Sequence, residues 1–260
     1  MQDLNVTLVQ AELIWQDPTS NRARFAEQLR PLQGKTDLVV LPEMFTTGFT
    51  MQPEHLAEPA DGPTLQWLRE QAVHLQATIT GSVAVTEAGQ YFNRLYWVRP
   101  DGSFATYDKR HLFRMGNEHQ HYAPGSRLLL VELQGWCVCP MVCYDLRFPV
   151  WSRRRAGLDY DLLIYVANWP TVRRYPWQTL LKARAIENLS YCIGVNRVGN
   201  DGNGVPHSGD SVVLDFMGQS LLAAPEQAWQ ASVGLSYEGL RKFRQRFPAH
   251  LDADEFVLKE

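Results

Sequence analysis

Short apolar runs of the length of buried strands recur along this chain, and three of them stop at a residue that can do chemistry. Leu38-Val39-Val40-Leu41-Pro42 ends at Glu43, Phe104-Ala105-Thr106-Tyr107-Asp108 at Lys109, and Val138-Cys139-Pro140-Met141-Val142 at Cys143. In a strand-rich fold the carboxyl ends of several strands converge on one rim, and residues exposed there face a cleft rather than the core. A carboxylate, an ammonium and a thiol on one rim can carry out acyl transfer. A thiol nucleophile needs a base to take its proton or a cation to stabilise its anion, and Glu43 and Lys109 supply one of each.

The elements between these runs alternate in type. Leu4 to Gln10 reads as a strand, Asn21 to Leu32 as a helix with Thr19-Ser20-Asn21 as its cap, and Leu38 to Pro42 as a second strand. Pro63 to Ala77 reads as an amphipathic helix, followed by strands at Thr78 to Thr86, Tyr91 to Arg99 and Ser103 to Asp108, the last two joined by an Asp101-Gly102 hairpin. The polar stretch from Arg110 to Ser126 is a long loop of the kind that usually serves function. Leu128 to Leu133, Trp136 to Cys143, Asp161 to Ala167, Cys192 to Val198 and Asp210 to Phe216 read as strands, with helices at Val150 to Ala156 and Trp177 to Tyr191. This alternation implies a layered α/β architecture with hairpins mixed in, built as a single domain over residues 1–260. Tyr237 to Glu260, with a polar helix-like start and an acidic end, is either an arm that packs on a neighbouring subunit or a solvated terminus.

Composition removes several function classes. With 45% hydrophobic and 20% charged residues and a net charge of -3, the chain is an ordinary globular protein without an electrostatic footprint for nucleic acid or an anionic membrane. Arg153-Arg154-Arg155 is an isolated basic cluster and reads as a solvated helix face. The polar amino terminus does not match a signal peptide, and no apolar stretch approaches the roughly 20 residues of a membrane span, so a cytoplasmic protein with reduced thiols is expected. Cys137, Cys139 and Cys192 read as small buried hydrophobes, and the cysteine spacing lacks the paired pattern of a zinc site, so no metal is expected. Cys143 differs from the other three because its strand runs straight into Tyr144-Asp145-Leu146-Arg147-Phe148-Pro149, a sharp corner that presents one side chain as a nucleophile elbow does.

Leu41-Pro42-Glu43-Met44-Phe45, Tyr107-Asp108-Lys109-Arg110-His111-Leu112-Phe113 and Val142-Cys143-Tyr144-Asp145-Leu146-Arg147-Phe148-Pro149 resemble, in order and spacing, the three catalytic motifs of the nitrilase (carbon-nitrogen hydrolase) superfamily. The similarity runs over nearly the whole chain, including Tyr165-Val166-Ala167-Asn168-Trp169-Pro170 and Ala183-Arg184-Ala185-Ile186-Glu187-Asn188, and is closest to the bacterial omega-amidases. The resemblance implies a four-layer α-β-β-α sandwich, a Glu43-Lys109-Cys143 triad, no cofactor and a homodimer. It implies Glu43 as general base, Cys143 as nucleophile, and Lys109 with the backbone N–H of Tyr144 facing the oxyanion. Glu118 matches a second glutamate beside the triad, with a solvated loop residue as the alternative, whereas Glu187 reads as structural.

The implied substrate is a small acid with a terminal amide, such as 2-oxoglutaramate or 2-oxosuccinamate, whose carboxylate needs a cationic partner. Arg173 is the candidate for that contact and Arg174 a weaker one, a solvated loop arginine being the alternative, and Phe45 and Trp169 would form an apolar wall. Typical nitrilases follow the nucleophile with Trp-Glu, so Tyr144-Asp145 argues against nitrile hydrolysis, while N-carbamyl amide hydrolysis stays open on motif grounds. A papain-like Cys-His hydrolase would need one of His111, His119, His121 or His207, and a non-catalytic binding module is opposed by the intact Glu43, Lys109 and Cys143.

Overall fold

Period-two alternation buries the first sheet on both of its faces. In the computed structural model, which describes residues 2–258, Leu4, Val6 and Leu8 of strand Leu4–Gln10 enter one core and Val9 enters another. The same division separates Leu38 and Val40 from Val39 and Leu41, and Leu95 and Trp97 from Tyr96 and Val98. One of these cores lies between two sheets. The other lies under the helices Pro18–Leu29 and Pro63–Leu75, which contribute Phe25, Leu29, Leu65, Leu68, Ala72 and Leu75.

The first sheet has the order Trp229–Leu235, Leu4–Gln10, Leu38–Val40, Thr78–Glu87, Gln90–Val98 and Phe104–Asp108, with the two-residue strand Glu58–Pro59 beside Thr78–Glu87. The second has the order Ser220–Ala223, Val212–Leu214, Tyr191–Asn196, Leu162–Ala167, Trp136–Val142 and Val131–Leu133. All residues of Leu162–Ala167 and Tyr191–Asn196 are buried, as strands covered on both faces must be. The helix Arg174–Asn188 covers the outside of this sheet through Trp177, Leu181 and Ala185. Helices, sheet, sheet and helices make the four-layer α-β-β-α sandwich expected from the resemblance.

Strand direction gathers the site. Leu4–Gln10, Leu38–Val40 and Thr78–Glu87 run parallel, and two antiparallel steps bring Phe104–Asp108 back into the same direction. Trp136–Val142, Leu162–Ala167 and Tyr191–Asn196 are parallel as well. Glu43, Lys109, Cys143 and Asn168 therefore all follow the carboxyl ends of strands.

Several sequence expectations are corrected in detail. The first long helix begins at Pro18, capped by Asp17 accepting from the Ser20 backbone N–H, rather than at Asn21. Asn21 instead bonds Ile14 and the Thr46 carbonyl, holding the rim loop. The helix expected at Val150 to Ala156 is only Pro149–Ser152, since Arg153 leaves helical geometry at φ -63, ψ 123. Arg153, Arg154 and Arg155 are consequently half-buried in a loop and not on a solvated helix face. The strand expected over Asp210 to Phe216 shrinks to Val212–Leu214, because Asp210 has a positive φ and Asp215 opens a turn closed by its own carboxylate. Trp229–Leu235, whose apolar Trp229, Ala231, Val233 and Leu235 alternate with Gln230, Ser232 and Gly234, is a seven-residue edge strand unassigned from sequence.

The described part of the carboxyl-terminal stretch packs on its own chain: Leu240 is buried in helix Tyr237–Arg246, Arg244 bonds Asp161 and the carbonyls of Tyr160 and Leu189, and Leu258 lies against the main core. Lys259 and Glu260 lie outside the described residues. No helix among the described residues is long and apolar enough to cross a membrane.

Gly194 leaves room for helix Arg174–Asn188 on the sheet, since a Cβ there would lie 2.5 Å from a Leu181 methyl and 2.8 Å from the Trp177 ring. Gly194→Ala should lower stability by about 1–3 kcal/mol through overpacking. Urea unfolding checks this, and an unchanged midpoint would mean the helix is not seated so tightly.

Candidate active site

Two backbone corners aim the side chains of the candidate site. After strand Leu38–Val40 the chain turns at Met44 with φ 41, and after strand Trp136–Val142 it turns at Cys143 itself with φ 46. A non-glycine residue held there costs on the order of 1–3 kcal/mol and persists only where its surroundings over-determine it. Asp145 supplies that constraint at the second corner. Its carboxylate accepts from the Val142 backbone N–H, the Tyr107 hydroxyl and the His111 backbone N–H, and lies 2.8 Å from His111 Nδ1. His111 is stacked on Phe148 at 3.9 Å, so its ring is committed to holding this corner.

Lys109 sits between two carboxylates. Its Nζ lies 2.8 Å from Glu43 Oε1 and 3.0 and 2.9 Å from the two oxygens of Glu118, and all three side chains are excluded from solvent. At an effective dielectric near 20 the attraction to each of the two carboxylates is worth about 6 kcal/mol, against a desolvation penalty of several kcal/mol per ion. Burial alone would discharge the lysine. The carboxylates of Glu118 and Glu43 outweigh it and hold the Lys109 pKa above its ordinary value. Burial raises the pKa of Glu118, Lys109 opposes that, and Glu43 adds to it, leaving a net upward shift.

The remaining carboxylate valences are filled. Asn93 donates to Glu43 and Glu118, the Phe113 backbone N–H donates to Glu118, and the Asn168 backbone N–H donates 2.7 Å to Glu43 Oε2. The Asn168 amide donates to the Glu43 carbonyl at 2.6 Å, so Asn168 stitches the rim of one sheet to the rim of the other.

Cys143 lies at the floor of a cleft of about 260 Å³ and is 8% exposed. Burial pushes its thiol pKa well up, Glu43 raises it further by charge and hydrogen bonding, and Lys109 pulls only partly the other way. The sulfur beside Glu43 is therefore held as a thiol.

The cleft walls differ from expectation at one position. Phe45 does not reach it: its ring is fully buried in the helix-side core against Phe25 and Trp67, in a space left open by Gly81. The turn at Met44 sends Phe45 away from the cleft, and Phe49 and Phe113 line it instead, together with Trp169. Arg173 does line the cleft, with its guanidinium over Phe113 and against the Met115 sulfur, and Arg147 joins it over the face of Trp169. Neither has a carboxylate partner among the described residues. Arg174, the weaker candidate, is consumed by Asp210 and Glu226. Glu187 pairs with Arg184 on its own helix. His207 lines the cleft too, but burial and then the charge of Arg197 lower its pKa to about 4, leaving it neutral.

Sequence reasoning missed Asn93, Asp145 and Arg147, and gave Asn168 no role. Asn168 and Arg147 carried the signal of following a strand end at the rim, whereas Asn93 lies inside strand Gln90–Val98 and nothing local distinguishes it. Among the described residues there is no group of three or more His, Cys, Asp or Glu side chains placed to hold a metal ion.

Removing the cation should expose the cost of the buried carboxylates. Lys109→Met is expected to lose about 3–5 kcal/mol of stability at neutral pH. The folded variant then binds a proton that the unfolded chain releases, so the penalty should shrink as pH falls and grow as it rises. Urea unfolding across pH measures this, and a pH-independent loss would contradict it.

The chain matches the Carbon-nitrogen hydrolase family over residues 5–240. It is 49% identical to the omega-amidase YafV of Yersinia enterocolitica, over 99% of this chain and 100% of that protein. It is 28% identical to the 2-oxoglutaramate amidase of Bacillus subtilis, over 95% of this chain and 96% of that one. A crystallised CN-hydrolase superfamily protein from Xanthomonas campestris, with an arsenic adduct in its active site, superposes with a TM-score of 0.98 at 51% identity over the whole of both chains. Four layers, strand-end motifs at Glu43, Lys109 and Cys143, and a match over most of the sequence lead to one assignment: this chain belongs to the carbon-nitrogen hydrolase family.

Proposed function

We propose that the protein is an omega-amidase that hydrolyses the terminal amide of a small 2-oxo acid amide, such as 2-oxoglutaramate or 2-oxosuccinamate, to the dicarboxylate and ammonia. One observation carries the reading: the cleft that ends on Cys143 also offers Arg147 and Arg173, two guanidiniums held by aromatic faces and a thioether in place of carboxylates. A carboxylate entering the cleft gains charge-assisted hydrogen bonds that neither arginine now makes. The high identity to an omega-amidase supports the same substrate class.

In the proposed mechanism Glu43 takes the Cys143 proton as the sulfur attacks the amide carbon. The carbonyl electron pair moves to oxygen, where Lys109 Nζ and the backbone N–H of Tyr144 stabilise it. Tyr144 lies in the first turn of the 3-10 segment Cys143–Arg147, where N–H groups lack an acceptor within the turn. As the oxyanion collapses, the C–N bond breaks, the proton passes from Glu43 to nitrogen, and ammonia leaves a thioester. Glu43 then deprotonates a water that attacks the thioester carbon, and the returning proton restores the thiol. Glu118 keeps Lys109 charged while Glu43 changes protonation state, and Asn93 and Asn168 keep the Glu43 carboxylate aimed. The reaction needs no cofactor.

The proposal extends to a cytoplasmic homodimer. Val150, Val172, Tyr175 and Ile186 are exposed apolar side chains on the segments beyond the nucleophile, and a partner subunit would cover them. The four free cysteines suit a reducing compartment.

Ammonia release from 2-oxoglutaramate, compared with glutamine, a simple nitrile and an N-carbamyl amino acid, tests the activity. Turnover should be rapid on the keto acid amide alone and absent in Cys143→Ala. Glu43→Gln and Lys109→Met should each cost at least about 10²- to 10³-fold in kcat. Arg173→Ala should act mainly on KM, and preference for another substrate of the panel would overturn the assignment. Sedimentation should give a dimer, weakened by Val172→Glu.

A further inference from the structure

A second cavity, of about 340 Å³, opens at the opposite end of the second sheet, walled by Arg154, Arg241, Arg244 and His250 together with Asp159 and Asp161. It also touches Cys137, near the start of strand Trp136–Val142, whose other end leads into Cys143. Six steps of extended chain lead from one cysteine to the other, placing this cavity roughly 20 Å from the nucleophile.

The cationic groups here are only partly satisfied. Arg244 is fully engaged, with Nη1 on Asp161 at 2.7 Å and its other nitrogens on the carbonyls of Leu189 and Tyr160. Asp161 also accepts from the Cys137 backbone N–H. Arg154 spends only its Nε, on Asp159 at 2.5 Å. Its side chain is 10% exposed, yet its Nη1 is buried with no hydrogen-bond partner, as is His250 Nδ1. Arg241 has no carboxylate partner among the described residues. Three guanidiniums thus face two carboxylates, both already bonded. An unpartnered donor on a buried charged group carries a desolvation penalty that an incoming acceptor would relieve. Burial, followed by the charges of Arg154 and Arg244, lowers the pKa of His250, as a locally positive potential requires.

We propose that this cavity binds a small phosphate-type oxyanion, either inorganic phosphate or the phosphoryl group of a phosphomonoester, with the guanidiniums of Arg154 and Arg241 as its donors. The site is separate from the amidase centre and does not depend on its chemistry.

Isothermal titration of the full chain with inorganic phosphate and with glycerol 3-phosphate, against chloride at matched ionic strength, tests the site. One anion per chain should bind, with a matching rise in Tm. The dissociation constant should rise at least about tenfold in Arg154→Gln and in Arg241→Ala. Arg241 is exposed and its replacement should leave folding and ammonia release unchanged, so that variant reports on binding even if Arg154→Gln is unstable. The tighter of the two ligands identifies the source of the phosphoryl group. Absence of binding beyond the chloride control, unchanged affinity in Arg241→Ala, or loss of binding in Arg173→Ala, which would place the anion in the amidase cleft, would each overturn the proposal.

Discussion

A lysine ammonium held between two buried carboxylates is the interaction on which the rest of this structure depends. Lys109 can stay charged in a dry site only because Glu43 and Glu118 both face it. The carboxylates in turn draw donors from Asn93, the Phe113 backbone and the Asn168 backbone. These donors come from both sheets and from the loop after Lys109. The cluster therefore fixes the distance between the two sheet rims, and the cleft between them has one geometry. Removing any member leaves a charge or a donor uncompensated, which makes the centre a constraint on folding as well as on chemistry.

The same cluster explains why Cys143 is held as a thiol. The sulfur is buried and Glu43 faces it, so the anion is disfavoured despite the nearby ammonium. In the proposed mechanism the thiolate appears only as Glu43 accepts the proton during attack, and the lysine's charge is used on the oxyanion instead of on a resting sulfur anion. The strained corner at Cys143 is held by Asp145 and by the packing of His111 on Phe148. A histidine that could have suggested Cys-His chemistry is in this way part of the support for the corner that carries Cys143.

How far the sequence could be read follows from where each residue lies along its strand. Glu43, Lys109 and Cys143 were legible because each ends an apolar run, and parallel strands bring such ends together. Phe45 was misjudged because the turn at Met44 rotates the chain between Glu43 and Phe45, and no local pattern announces a positive φ at methionine. Asn93 was invisible because a buried polar residue inside a strand looks like one facing solvent until its partners are known. Strand Trp229–Leu235 does carry period-two alternation at Trp229, Ala231, Val233 and Leu235 and was overlooked, although its pairing with Leu4–Gln10, more than two hundred residues away in the chain, has no local signal. Arg173 and Arg174 are adjacent, and only the acids opposite Arg174 show which of them is free.

The protonation state of the nucleophile is the most direct test of this account. Ultraviolet thiolate absorbance can be followed from about pH 6 to about pH 9, the interval in which an unperturbed cysteine ionises, with Cys143→Ala subtracted to isolate one sulfur. The account predicts no ionisation of Cys143 across that interval in the intact protein. A thiolate already formed near neutral pH would contradict it, because Cys143 and Lys109 would then be a resting ion pair and Glu43 would have no proton to take.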